Sequence, residues 1–366
     1  MSLVAAVLIG GGTLAYLHSV PTRTSDGPIK IGVIASQSGF AAVFGEVARN
    51  SMQMAADEIN RRGGIDGRIV ELYFEDDHTD PKEAVSAFQK LVSVDGVDMV
   101  VGGQFDFTTI PLLPIADSSH TAFISPGNFY IPGGLETTEH TFVMMPSFSK
   151  VLRELRGYLV QSGTKKLAVV HFKSVFGQEI VKTLSVVMDE LKGAPVVDEA
   201  YQQIGGNDFK TTILKLRQEQ VDTVFLDMVD VDPITFLKQA KELGYKPKII
   251  TYNAILDSFA GAKADTNLME GVAVLDWQFS DPVFSTAYKA KYGVVPTKSA
   301  DRSYAAIFVA AHAVVDASER SAIAARIAAA AFPTPIGEIK FNDKHAVDTI
   351  PVRIEVIKNG ELVPLK

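Results

Sequence analysis

The sequence predicts an α/β fold in two lobes, each a largely parallel sheet with helices on both faces. From Pro28 onward, short apolar runs alternate with segments whose apolar residues recur every three or four positions, the form taken by successive strand and helix units. The stretch from Gly63 to Pro81 joins a helix end, a turn, a strand and the next helix start. At 366 residues the chain exceeds one ordinary domain and suits two of about 150 residues each.

Residues 29–35 (IKIGVIA) read as a buried strand, 36–40 as a loop, and 46–62 as a helix with Ala48, Met52, Ala55 and Ile59 on one face. Gly63-Gly64 suits the left-handed backbone that closes a helix, and 69–74 is extended and largely apolar. Asp80-Pro81 supplies an N-cap followed by proline at the first helical position. Helix 81–94 then points Ala84, Phe88 and Leu91 inward. Further strands are expected at 99–102, 122–125, 167–171, 221–226, 248–251 and 271–275. Between them lie helix 177–191, with Ile180, Leu184, Val187 and Leu191 inward, and helix 233–243, capped by Asp232. The alanine-rich stretch 322–331 reads as a helix. Strand 352–357, the turn Lys358-Asn359-Gly360 and Leu362-Val363 form a hairpin, because Asn-Gly is a strong turn signal.

Composition narrows function. The 35 basic and 43 acidic residues leave a formal charge of −8 with no basic stripe, which argues against a nucleic-acid partner. The absence of cysteine rules out disulfides, thiolate metal sites, thiol catalysis and lipid attachment through an N-terminal cysteine. The seven histidines are scattered, with no His-Glu-x-x-His pair and no Gly-x-Ser-x-Gly elbow, so an enzyme lacks its catalytic constellation. Asp227, Asp230 and Asp232 echo calcium-loop spacing but lack its glycine and distant glutamate, and Asp76, Asp77, His78 and Asp80 read as loop and cap. No metal and no cofactor are expected. Leu3 to Tyr16 is apolar and uncharged and reads as the remnant of an export signal or a short membrane anchor, although Met1-Ser2 provides no basic start.

Motifs in order carry a resemblance: IGVIASQSG at 31–39, GGIDG at 63–67, EDDHTDP at 75–81, VGG at 101–103, ISPG at 124–127, Phe176-Gly177, LKQAKELG at 237–244, SYAA at 303–306 and IGEIKFN at 336–342. From residue 29 to about 357 the chain resembles the periplasmic binding proteins that deliver branched-chain amino acids and amides to ABC importers. The resemblance implies two Rossmann-like lobes joined by three hinge crossings, the type I periplasmic binding fold, closing on a ligand in the cleft. It divides the chain into a signal or anchor and linker (1–27), one lobe of 28–146 plus 277–345, and a second of 147–276 plus 346–366. It further implies a periplasmic, monomeric, non-catalytic receptor, tethered if the N-terminal segment stays in place, with a permease and an ATPase as partners. A sensor module of the same fold is the alternative.

By position, the resemblance places Ser38, Phe44, Asp106, Gly127, Phe129, Phe176, Asp230 and Asn253 in the cleft, on loops at the carboxyl ends of strands where open α/β sheets bind ligands. Relative to the amino-acid binders, Asp106 replaces a hydroxyl residue that holds the ligand carboxylate, Phe129 a threonine, and Asn253 the acidic residue that meets the ammonium. Asp106 would repel a carboxylate. Asp106, Asp227 and Asp230 are therefore expected to receive an amine, amide or hydroxyl, while Phe44, Phe129 and Phe176 supply flat apolar walls.

Overall fold

The computed structural model describes residues 27–127, 138–277, 282–297, 300–347 and 349–365. Phe129 and the segment from Leu3 to Tyr16 lie outside the described residues. The strands are β1 (Ile29–Ala35), β2 (Val70–Asp76), β3 (Met99–Gly102), β4 (Phe123–Ser125), β5 (Thr141–Val143), β6 (Leu167–Phe172), β7 (Val197–Tyr201), β8 (Thr223–Asp227), β9 (Lys248–Tyr252), β10 (Ala273–Asp276), β11 (Ala331–Thr334), β12 (Gly337–Lys340), β13 (Arg353–Lys358) and β14 (Glu361–Pro364). The helices are α1 (Ala42–Arg61), α2 (Pro81–Ser93), α3 (Asp106–Thr109), α4 (Leu113–Ser118), α5 (Phe148–Gln161), α6 (Val175–Glu190), α7 (Lys210–Gln218), α8 (Asp232–Glu242), α9 (Ala254–Ala262), α10 (Pro282–Tyr292), α11 (Ala300–Asp316) and α12 (Ala322–Ala329).

These strands make two large sheets. The first has the order β2-β1-β3-β4-β5 and is parallel throughout; the second has the order β14-β13-β10-β9-β8-β6-β7, parallel except for its last hairpin. A small antiparallel pair, β11 and β12, stands apart. The chain passes between the sheets after β5, after β10 and before β13. At the third passage, Ala346 pairs with Val143 and Val347 N donates to Met145 O at 2.8 Å, so two of the passages run side by side.

The local signals act as their chemistry requires. Asp80 Oδ1 accepts from the N–H groups of Lys82 and Glu83 ahead of α2, a cap worth about 1 kcal/mol. Gly63 and Gly64 close α1 with φ of +94° and +83°, and Asn359-Gly360 turns β13 into β14 with both φ angles positive. The apolar faces of α1 and α2 are buried as the spacing predicts. Two details differ. In α6, Met188 completes the buried face, whereas Leu191 lies just past the helix end. Asp232 is not a cap: it lies inside α8, and its carboxylate accepts from Gly205 N and Asn207 Nδ2, tying down the 203–207 loop.

Candidate functional site

Between the sheets lies a cavity of about 120 Å3, built from the ends of both. Phe44 of α1, Gln104 to Phe107 and Gly127 after β3 and β4, and Arg302 of α11 line it from the first side. From the other side come Phe172, Ser174 and Phe176 around the start of α6, with Tyr201, Asp227, Tyr252 and Asn253 at strand ends. Of the residues expected in the cleft, Phe44, Asp106, Gly127, Phe176, Asp227 and Asn253 therefore meet in one place. Ser38 sits outside this lining, where its Oγ pairs with His78 Nδ1 at 2.6 Å. Asp230 is exposed, has a φ of +58°, and lies beside Gly205.

The two sides touch. Asp106 is 5% exposed, and its Oδ2 accepts from Phe176 N at 2.9 Å, while Oδ1 accepts from Phe107 N at 2.9 Å. Phe176 N is one of the free amides of the first turn of α6, whose partial positive charge favours a carboxylate. Ser174 caps the same turn through Gly177 N. The ring of Phe107 meets that of Phe172 at 6.5 Å, and Phe40, Phe44, Phe105 and Phe107 form a continuous aromatic cluster on the first side.

Loop backbones are held by polar side chains. Ser125 Oγ donates to Gly103 O and accepts from Gly127 N, joining the turns after β3 and β4. Gly127 belongs there because a Cβ would come within 2.4 Å of Gly103 O. Asn253 donates through Nδ2 to Asp276 Oδ1 at 3.0 Å. Asp276 also faces Arg353 at 3.5 Å.

The electrostatics are uneven. Desolvation in the cleft, with a further push from Asp106 and opposition from His171, raises the Asp227 carboxyl to about 7. Burial and the charge of Asp227 hold the phenols of Tyr201 and Tyr252 far above their usual range, so both remain neutral donors. Arg302 is 3% exposed, and burial lowers its pKa against the pull of Asp301, Asp257 and Asp276. The sequence reading missed Arg302 along with Tyr201 and Tyr252. A signal was present: α11 is apolar on almost every face, so a charge within it has no solvated face to occupy.

The Asp227 carboxyl has a consequence for stability. An unfolded aspartate ionises near 3.9, whereas this one holds its proton to about 7, so between these values the folded form binds more protons and stability falls as pH rises. Asp227→Asn removes that loss. Its thermal midpoint is expected to exceed that of the wild type by a few degrees near pH 8 and by little near pH 5; a difference independent of pH would contradict the assignment.

Among the described residues, no group of three or more acidic or histidine side chains is placed to hold a metal, and no helix is long and apolar enough to cross a membrane. Residues 28–360 match the family model described as periplasmic binding protein. The leucine-, isoleucine-, valine-, threonine- and alanine-binding protein of Pseudomonas aeruginosa is 25% identical over 361 residues, covering 94% of this chain and 92% of the relative. Two solved structures share the fold. The branched-chain amino acid transporter substrate binding protein LivJ of Streptococcus pneumoniae, in complex with isoleucine, has a TM-score of 0.79 at 22% identity, covering 92% of this chain and 97% of the other. An ABC transporter solute binding protein of R. palustris, in complex with benzoate, has a TM-score of 0.78 at 19% identity, covering 93% and 96%. These are binding proteins, not enzymes. With a family model spanning nearly the whole described chain and a two-sheet architecture shared with solved members, the chain belongs to the periplasmic binding protein family.

Proposed function

We propose that the protein is the extracytoplasmic receptor of an ABC importer, closing two lobes on one small polar organic solute and presenting it to a membrane permease and its ATPase. The observation that carries this reading is the cavity itself, closed between the carboxyl ends of two parallel sheets and bridged by the contact of Asp106 with Phe176 N. We take 28–146 plus 277–345 as one lobe and 147–276 plus 346–366 as the other, in a monomer exported through its first 27 residues, which tether it if they are retained. Relatives and neighbours bind small amino acids and benzoate, which bounds the size of solute expected here. The amide or amine expected from Asp106 has less support, because the Asp106 carboxylate already receives two backbone N–H groups.

A thermal-shift screen against aliphatic amino acids, amides and ureas, amines, and aromatic acids tests the receptor reading. A solute at a hundredfold excess over its Kd adds about 2.7 kcal/mol of stability and stands out clearly. Cells lacking the gene are expected to lose uptake of the compound found. Absence of any stabilising compound in the four sets would sink the reading.

A further inference from the structure

Arg302 lies in the first turn of α11, is 3% exposed and lines the cavity, and its Nε and Nη1 have no hydrogen-bond partner among the described residues. A guanidinium taken out of water costs several kcal/mol unless an anion answers it. The planar fork of donors fits a carboxylate in two parallel hydrogen bonds.

A second group of unanswered atoms lines the same cavity. The hydroxyls of Tyr201 and Tyr252 are buried without a partner, and both feel the charge of Asp227. Arg302 enters the cavity from α11 on the first side, whereas Tyr201, Asp227 and Tyr252 are the last residues of β7, β8 and β9 on the other. The rest of the lining is rich in phenylalanine: Phe44, Phe105, Phe107, Phe172 and Phe176.

Together these features select a ligand. An α-amino acid carries its carboxylate and ammonium on one carbon and does not span two separated polar ends. An ammonium also has no acceptor for the tyrosine hydroxyls, whereas a hydroxyl donates to Asp227 and accepts from a phenol. Flat walls favour a flat ring. An apolar cavity of about 150 Å3 holds benzene, and the whole space here is about 120 Å3, so the ligand is no larger than a single ring with short substituents and the closed cleft must widen slightly to admit it. We propose that the cleft takes a hydroxylated aromatic monocarboxylate, its carboxylate held by Arg302 and its hydroxyl by Asp227, Tyr201 and Tyr252. This assignment rests on the receptor reading above and names its solute class.

Calorimetric titration with para-hydroxybenzoate, benzoate, para-cresol, L-phenylalanine and L-leucine tests it. One para-hydroxybenzoate is expected to bind per chain, with benzoate about tenfold weaker for want of the hydroxyl and para-cresol on the order of a hundredfold weaker for want of the carboxylate. Arg302→Met is expected to lower para-hydroxybenzoate affinity on the order of a hundredfold, and its thermal midpoint without ligand is expected to fall, since Asp301, Asp257 and Asp276 lose the cation among them. Tyr252→Phe should bring para-hydroxybenzoate down toward the benzoate value. Should Arg302→Met not fold, Arg302→Lys keeps the charge without the fork and is expected to bind about tenfold more weakly; unchanged binding there overturns the assignment. Tighter binding of L-leucine or L-phenylalanine than of either acid, or wild-type affinity in Arg302→Met, also overturns it. Those results leave the receptor reading standing, which fails only if the thermal screen finds no solute.

Discussion

Asp106→Ala is expected to weaken solute binding by about 10- to 100-fold and to shift the protein toward an open cleft. The physical reason is that Asp106 belongs to α3 on one side of the cleft, while the Phe176 N–H it accepts belongs to α6 on the other. A hydrogen bond to a charged group contributes about 1.5–3 kcal/mol, and this one exists only when the lobes meet. Its loss therefore subtracts from closure, and binding and closure are linked. Two measurements separate this from a direct ligand contact. Scattering should show a larger radius of gyration for the mutant at saturating ligand, and the single tryptophan, Trp277, edge-on to Tyr252 at 5.2 Å, should report altered packing near the passage after β10. Asp106→Asn, which keeps one acceptor for Phe176 N but turns an NH2 toward Phe107 N and lacks the charge, is expected to recover only part of the affinity. Equal affinity in wild type and Asp106→Ala would show that the bridge contributes nothing.

Gly45→Ala should destabilise the fold by about 2–3 kcal/mol and loosen the solute site with it. A Cβ at Gly45 would lie 1.9 Å from the carbonyl oxygen of Ser36, an impossible approach between two backbones. The first turn of α1 would have to move away from the end of β1. That turn also carries Phe44, one wall of the cavity. Gly157→Ala in α5 is the matched control: its Cβ meets nothing within 4 Å, so the exchange should stabilise by up to about 1 kcal/mol. Urea denaturation reads both, and a midpoint for Gly45→Ala equal to that of the wild type would refute the close-approach argument.

The elements legible in the sequence are those whose signal is local. β1 is a continuous apolar run because it is buried on both faces, and Asp80-Pro81 and Asn359-Gly360 announce their cap and turn by backbone chemistry alone. β7 went unread because it is an edge strand that alternates half-buried with exposed residues, and β5 because three residues carry no periodicity. The cleft was legible in part for the same reason. Asp106 and Phe176 fall in the first helical turns a few residues after β3 and β6, so their position could be inferred, but the hydrogen bond between them joins residues 70 apart in sequence, and nothing local records it. Arg302 was legible only indirectly: the apolar surround of α11 marks its charge as out of place, but the packing of α11 against α1, β1 and β3 that removes it from water is not local.

The order of the strands also governs when the protein can fold. The first sheet is covered by α11, which begins at Ala300, and the open edge of β10 is closed by β13, which begins at Arg353. Neither half is thus self-sufficient while the chain is being made. A nascent polypeptide threading through an export channel would keep both hydrophobic surfaces unfinished until its final segment is released, which favours translocation before collapse. Proteolysis of chains ended before Ala300 is the direct check: they should yield no protected core, and a resistant fragment would show that one half folds alone.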